Sequence, residues 1–329
     1  MSWQVEMREA LKSVEDLNYF FADNFGASSY PIFIPKRLAL KIKTMGKDSA
    51  LGKQFLPLPE ENNAQLQADG LIDPIGDQRH SPHARIVHRY DNRILFFPTS
   101  HCPVMCRYCF RKNELNSGQD LFSGSLLPLE NYLRQQTEID EVIFSGGDPL
   151  ILSDEKIAQY LDFFAQFPNI KYIRFHSRMP VIIPNRISDN FISILQSYSK
   201  RFDCISLAVH INHTQEIDSD VKLALKKFEN TKIQLLSQTV LLKNVNDDAT
   251  ELCQLFKQIW QLGMRPYYLH HPDRTKGAMH FCLSPKSGGQ IMREVRRKLP
   301  GWMLPQYVID DPSGKGKIPL SDLLSQSTK

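Results

Sequence analysis

Short apolar runs recur along the chain from residue 94 onward, and each ends in a polar or glycine-rich step. Residues 94–99 stop just before His101 and Cys102, and residues 141–144 end in Ser145-Gly146-Gly147. Residues 171–175 lead into His176-Ser177-Arg178, 204–209 into His210, 232–236 into Gln238, and 265–269 into His270 and His271. Runs of this length, bounded by turn residues, predict buried strands. Between them the apolar period becomes helical. Ser153 stands before Asp154 and Glu155, with Ile157, Leu161 and Phe164 as a stripe, which predicts a capped helix. Residues 249–262 place Leu252, Phe256 and Trp260 on one stripe, and Gly263 ends it.

Six strands, each followed by a helix, predict parallel βαβ units in an α/β protein. Polar residues at strand C-termini are where a β/α barrel keeps its site. A doubly wound sheet has the same alternation, so pattern alone does not choose. The first 85 residues differ. An amphipathic helix over 6–20 and the Leu56-Pro57-Leu58-Pro59 connection read as a helical layer. After Pro300, a strand-like stretch at 306–309 precedes Asp310-Asp311-Pro312-Ser313-Gly314-Lys315-Gly316-Lys317, a loop by composition. The chain therefore divides into a layer (1–85), a β/α body (86–298) and a C-terminal segment (299–329).

Composition narrows the function classes. The 42% hydrophobic content supports a buried core rather than disorder. A net charge of +4 without a basic block argues against a nucleic-acid partner. The apolar stretches are too short to span a membrane, and the first twenty residues carry acidic groups where a signal peptide is basic. A cytoplasmic protein is expected. Of six cysteines, Cys204, Cys253 and Cys282 are scattered and read as small buried hydrophobes.

The other three stand in His101-Cys102-Pro103-Val104-Met105-Cys106-Arg107-Tyr108-Cys109. Thiolates hold iron–sulfur clusters, usually four at a time, and no fourth cysteine is near. Three ligands would leave one iron open to a small molecule. A structural zinc site closes with four ligands, and His101 could be the fourth, so zinc is an alternative. Ser145-Gly146-Gly147-Asp148-Pro149 follows the next strand; alone, such a segment is usually just a turn.

The C-x₃-C-x₂-C spacing resembles the radical S-adenosylmethionine superfamily, and the Gly-Gly-Asp segment one βα unit later agrees with it. Cys106-Arg107-Tyr108-Cys109-Phe110-Arg111, Phe144 to Leu150, Tyr267-Tyr268-Leu269 through Gly277 to His280-Phe281, and the tail around Lys317 resemble the lysine 2,3-aminomutase family. His176-Ser177-Arg178 and Asn212-His213 are similar to its branch acting for elongation factor P. The resemblance runs from about residue 88 to 320. It implies a partial (β/α)6 barrel with an N-terminal helical layer and a C-terminal segment bearing a cofactor lysine. It also implies a [4Fe–4S] cluster on Cys102, Cys106 and Cys109 that cleaves S-adenosylmethionine to an adenosyl radical. Ser145, Gly146, Gly147 and Asp148 would hold the methionine end, and His176 and Gln238 are further cofactor-binding candidates.

By the same resemblance, Lys317 forms a Schiff base with pyridoxal 5′-phosphate, with Lys315 two residues away. Arg89, Tyr90 and Arg93 line that cofactor, Arg111 pairs with the substrate carboxylate, and Asp273 and Asp310 hold a side-chain ammonium. Without the cysteine motif, Lys317 would read as part of a solvated basic loop, and both aspartates as turn residues. Where the free-lysine enzyme has tyrosine, this chain has His270, as the elongation-factor branch does; Asp310 agrees with the free-lysine enzyme. The implied reaction moves the 2-amino group of a basic amino acid to C3, most simply L-lysine to β-lysine. Alternatives are a lysine aminomutase serving elongation factor P modification and a radical enzyme without pyridoxal phosphate. Expected partners are a small amino acid, an external electron donor such as flavodoxin or ferredoxin, and a second copy of the chain.

Overall fold

The structure, a computed structural model, describes residues 2–115, 125–311, 313 and 316–322. Nine strands form one sheet in sequence order: β1 (Ile86–Tyr90), β2 (Arg93–Thr99), β3 (Glu141–Gly146), β4 (Tyr172–Ser177), β5 (Cys204–His210), β6 (Gln234–Val240), β7 (Arg265–His270), β8 (Gln306–Asp311) and β9 (Gly316–Pro319). Neighbours from β2 to β8 are parallel, while β1 and β9 are antiparallel edges.

Before the sheet lie helices α1 (Trp3–Arg8), α2 (Val14–Phe21), α3 (Lys36–Met45) and α4 (Ala50–Phe55). Between β2 and β3 are α5 (Lys112–Leu115) and α6 (Leu127–Gln135), and α7 (Asp154–Ala165) links β3 to β4. The later crossovers carry α8 (Met179–Ile182), α9 (Asp189–Tyr198), α10 (Ser219–Lys226), α11 (Ala249–Gln261) and α12 (Pro285–Lys298). The six expected β/α units are β2 to β7, and β8 adds a seventh parallel strand. No helix among the described residues is long and apolar enough to cross a membrane.

The strand face turned to the helices is buried and apolar. Phe96 of β2 meets Phe144 of β3 at 5.3 Å and Phe164 of α7 at 5.1 Å, and Phe144 stacks on Phe175 of β4 at 4.6 Å. Leu17, Ile34, Leu38, Ile42, Leu51 and Phe55 of the N-terminal layer belong to the same core. The sheet curls until its edges meet through side chains. The Lys317 amide on β9 donates to Tyr90 Oη on β1 at 2.7 Å, and Arg89 lies 3.8 Å from Asp310. The result is a nearly closed, partial barrel.

Four local expectations change. The helix over 6–20 is two helices, because Ser13 starts a new one: its side chain accepts the Asp16 amide in a capping box, and Leu11 pairs with Ile34 in the gap. The tail around Asp310 is a hairpin rather than a loop, with Asp310 opposite Lys317 and Asp311 opposite Gly316. Lys315 lies outside the described residues. Trp260 is 40% exposed against Trp302, and Ile259 takes the core position. The fifth run continues to Val240, so Gln238 sits within β6 rather than after it. Among the scattered cysteines, Cys253 is buried while Cys204 and Cys282 are half-buried.

Gly316 permits the closure. Its φ is +72°, and a Cβ there would stand 2.1 Å from Tyr90 Oη. Gly316→Ala should lower stability by about 1–2 kcal/mol from the left-handed backbone alone, and urea unfolding would show a lower midpoint. An unchanged midpoint would mean that the β1–β9 approach does not depend on this glycine.

Candidate active site

Two cavities meet inside the barrel, one at the end that receives the strands' last residues and the other reaching back to the first residues of β2 and β3. One, of about 230 Å³, is lined by Cys102, Cys106 and Cys109, by Ser145 to Asp148 after β3, by His176, His210, Gln238 and His270 from β4 to β7, and by Arg111 and Asp273. The other, of about 280 Å³, is lined by Arg89, Tyr90 and Arg93 from the β1–β2 hairpin, by Glu141 and Arg174, and by Tyr267 and Tyr268. His176, Asp310 and Lys317 line both. Every residue expected at the site faces one cavity or the other.

The three thiols are half-buried. Burial, then the neighbouring Cys109 and Asp148, pushes Cys102 well up; burial pushes Cys106 up and Cys109 to about 12. Thiols that hinder one another's ionisation in a dry pocket become thiolates when a metal cluster supplies the positive charge, so the donor set fits such a group. Among the described residues, no group of three His, Cys, Asp or Glu is arranged to hold a metal ion. The exposed His101 ring lies 3.4 Å from Thr99 Oγ1, away from the cavity. His101 does not line the thiol cavity, so it is not placed to be a fourth ligand beside the three cysteines.

Gly146 and Gly147 let β3 close on the cysteine loop. Gly146 has φ +97°, and a Cβ on Gly147 would stand 2.2 Å from the His101 carbonyl. The Gly147 amide donates to Thr99 O at 2.9 Å, and the Asp148 amide to His101 O at 2.8 Å. The Asp148 carboxylate turns inward and accepts from Leu150 N, Ser177 Oγ, Arg178 N and Met179 N. It thereby ties the end of β3 to the end of β4.

On the other side, Arg93 lies 3.7 Å over the Tyr90 ring. Arg174 donates to Tyr267 Oη at 2.8 Å and to Glu141 at 3.1 Å, while its buried Nε has no partner among the described residues. His176 Nε2 is likewise buried without a partner, and burial, then Arg174, drives its pKa well down, so the ring is neutral. Arginines, aromatic rings and orphaned donors around Lys317 fit a phosphorylated aromatic ring.

Lys317 Nζ bonds both Asp310 oxygens, at 2.8 and 2.9 Å. Burial pushes the Asp310 carboxyl up, but Lys317 and His270 outweigh it and hold it well below the usual range. Asp273 moves the other way: burial, then the charge on Asp310, raises it to about 8. Arg111 is buried between Phe97 and Phe110, with one arm on Asp77 and the other 2.9 Å from Glu114. Asp77 also binds Arg89 at 2.8 Å, so one carboxylate aligns an arginine of each cavity.

Sequence reasoning gave no site role to Asp77, Arg174 or Arg178, although Arg178 stands in the His176-Ser177-Arg178 step that it singled out. Arg174 had a visible signal, a cation in the middle of an apolar strand. Asp77, in a short 3₁₀ turn, had none.

No family model matches the chain. Curated relatives do. An L-lysine 2,3-aminomutase of Methanococcus maripaludis is 33% identical over 97% of this chain and 74% of its own length. One from Buchnera aphidicola is 30% identical over 96% of this chain and 94% of its own. A glutamate 2,3-aminomutase of Clostridioides difficile is 32% identical over 81% of this chain and 62% of its own. With three thiols beside a Gly-Gly-Asp turn in a partial barrel, and with likeness across nearly the whole chain, the protein belongs to the lysine 2,3-aminomutase family of radical S-adenosylmethionine enzymes.

Proposed function

We propose that this aminomutase uses pyridoxal phosphate and acts on a basic amino acid, most simply L-lysine, moving the amino group from C2 to C3. The observation that carries the reading is the position of Lys317, on the seam between a thiol-lined cavity and one lined by arginine and tyrosine. Cys102, Cys106 and Cys109 would hold the cluster, with Ser145, Gly146, Gly147, Asp148, His176 and Gln238 around its open face. Arg89, Tyr90, Arg93 and Lys317 would hold pyridoxal phosphate. When bound, these groups supply a radical initiator and an electron-delocalising carbonyl; an external donor such as flavodoxin or ferredoxin supplies the electron.

The chain's own residues read the substrate. Arg111 presents a fork to the α-carboxylate. Its contact with Asp77 is fully buried and stays, while the partly exposed Glu114 is the partner a substrate would replace. Asp310 is occupied by the Lys317 ammonium. Once Lys317 is committed to its cofactor, that ammonium leaves, and a second cation fits between Asp310 and Asp273. A glutamate side chain would meet two carboxylates there, so the pair favours lysine or arginine over an acidic substrate.

Replacing Cys102, Cys106 or Cys109 by Ala should abolish iron binding, whereas Cys204→Ala, Cys253→Ala and Cys282→Ala should keep it. Iron analysis after anaerobic purification decides, and iron lost from Cys204→Ala but retained in Cys106→Ala would overturn the ligand set.

Lys317→Ala should keep its iron yet lose tightly held pyridoxal phosphate, read as absorbance surviving desalting. Retention of that absorbance would move the cofactor lysine elsewhere.

A lysine ammonium binds ionised Asp273, which is protonated below about pH 8 in the free protein. Binding therefore releases a proton, and lysine affinity should rise as pH climbs toward 8 and then level. Removing one partner of a buried charge pair costs about 3–5 kcal/mol, so Asp273→Asn should weaken lysine binding by roughly a hundredfold or more and flatten this dependence. Calorimetry across pH tests both, and unchanged binding in the variant would remove Asp273 from the site.

A further inference from the structure

Arg178 is a buried cation that the substrate and pyridoxal reading leaves unused. It follows β4 and is 6% exposed. Nη2 donates to Gln54 Oε1 at 2.9 Å and Glu216 Oε2 at 2.7 Å. Nη1 points the other way and donates to Cys106 Sγ at 3.4 Å. Among the described residues, this is the one side-chain hydrogen bond to any of the three clustered thiols. Phe55 stacks on the guanidinium at 4.7 Å and holds its plane.

The frame around it is rigid and dry. Gln54, Asn212 and Glu216 are at most 2% exposed. Glu216 Oε1 accepts the amides of Asn212 and His213 and the Gln54 side chain, and Asn212 donates to Gln54. The Gln54 carbonyl also accepts the Arg107 amide of the cysteine loop at 2.9 Å. The guanidinium is thus fixed with its negative partner behind it and one N–H edge toward a thiol sulfur.

We propose that Arg178 is a positioning residue that raises the reduction potential of the iron–sulfur cluster through its hydrogen bond to Cys106. The proposal rests on the three thiols being the cluster ligands. One-electron reduction adds one negative charge to the cluster, and the electron comes from a low-potential donor. A cation bonded to a ligand sulfur stabilises the reduced form more than the oxidised one, and burial keeps water from screening the difference. Glu216, on the far side of the guanidinium, opposes the effect. The two side chains should therefore move the potential in opposite directions.

The test is a potentiometric titration of the reconstituted holoenzyme with dithionite, followed by the paramagnetic signal of the reduced cluster, with iron measured per chain. Arg178→Met keeps bulk and removes the charge, so the midpoint should become more negative. Glu216→Gln keeps an acceptor and removes the opposing charge, so the midpoint should become more positive. Should Arg178→Met fail to fold, Arg178→Gln, which keeps a side-chain donor and removes the charge, takes its place, and its midpoint should likewise become more negative. Midpoints equal to wild type, or both variants shifting the same way as a loosened loop would, overturn the proposal. A wild-type protein that assembles no cluster overturns the ligand assignment itself, and with it this role for Arg178.

Discussion

The two edges of the curved sheet are joined by side chains rather than by a ladder, and the active site is built on that join. Tyr90 on one edge accepts the backbone amide of Lys317 on the other, and Arg89 faces Asp310 across the gap. A fully closed ladder would bring backbone to backbone and leave no room between the edges. A wide-open sheet would leave Lys317 in water, far from the cysteine loop. Closure by side chains holds a lysine at the seam with a cavity on each side of it. Gly316, in a conformation that penalises any side chain, lets the last strand come near enough.

Charge burial is the second constraint, and it follows from the first. Arg89, Arg111, Arg178 and Asp310 all lie in surroundings where an unpaired charge is costly. Each is paired, and the pairs share partners. Asp77 serves both Arg89 and Arg111, which locks an arginine of one cavity to an arginine of the other. Asp273 has no such partner among the described residues, and burial together with the charge on Asp310 raises its pKa to about 8.

Much of this was legible in the chain, for physical reasons that differ from element to element. The strands β2 to β7 read clearly because burial makes them apolar runs. The cysteines read clearly because three thiols at fixed short spacing have few other uses. The edge strands were harder: β1 carries His88, Arg89 and Tyr90, β9 carries Lys317, and an edge lined with cavity residues has no apolar signature. The break before α2 was written as Ser13 and Asp16, yet the hydrophobic stripe runs straight across it. Asp77 was invisible because it acts through a contact 34 residues away in sequence. No local pattern encodes such a pairing.

Two buried cations, Arg111 and Arg178, and the half-buried Lys317 share one arrangement. Arg111 has Asp77 behind it, Arg178 has Glu216, and Lys317 has Asp310. In each, the carboxylate fixes the cation and lowers the penalty of burying it, and the remaining face of the cation is turned to a cavity. A cation held in this way needs little reorganisation when a negative or nucleophilic partner arrives, because its geometry is already set. The arrangement also explains why Asp310 can serve twice. It stabilises Lys317 while that side chain is an ammonium, and under the proposed function it would be freed for another ammonium once the lysine nitrogen is committed elsewhere. On that reading, a cationic substrate would then take the place of the lysine ammonium beside Asp310 and leave that carboxylate paired.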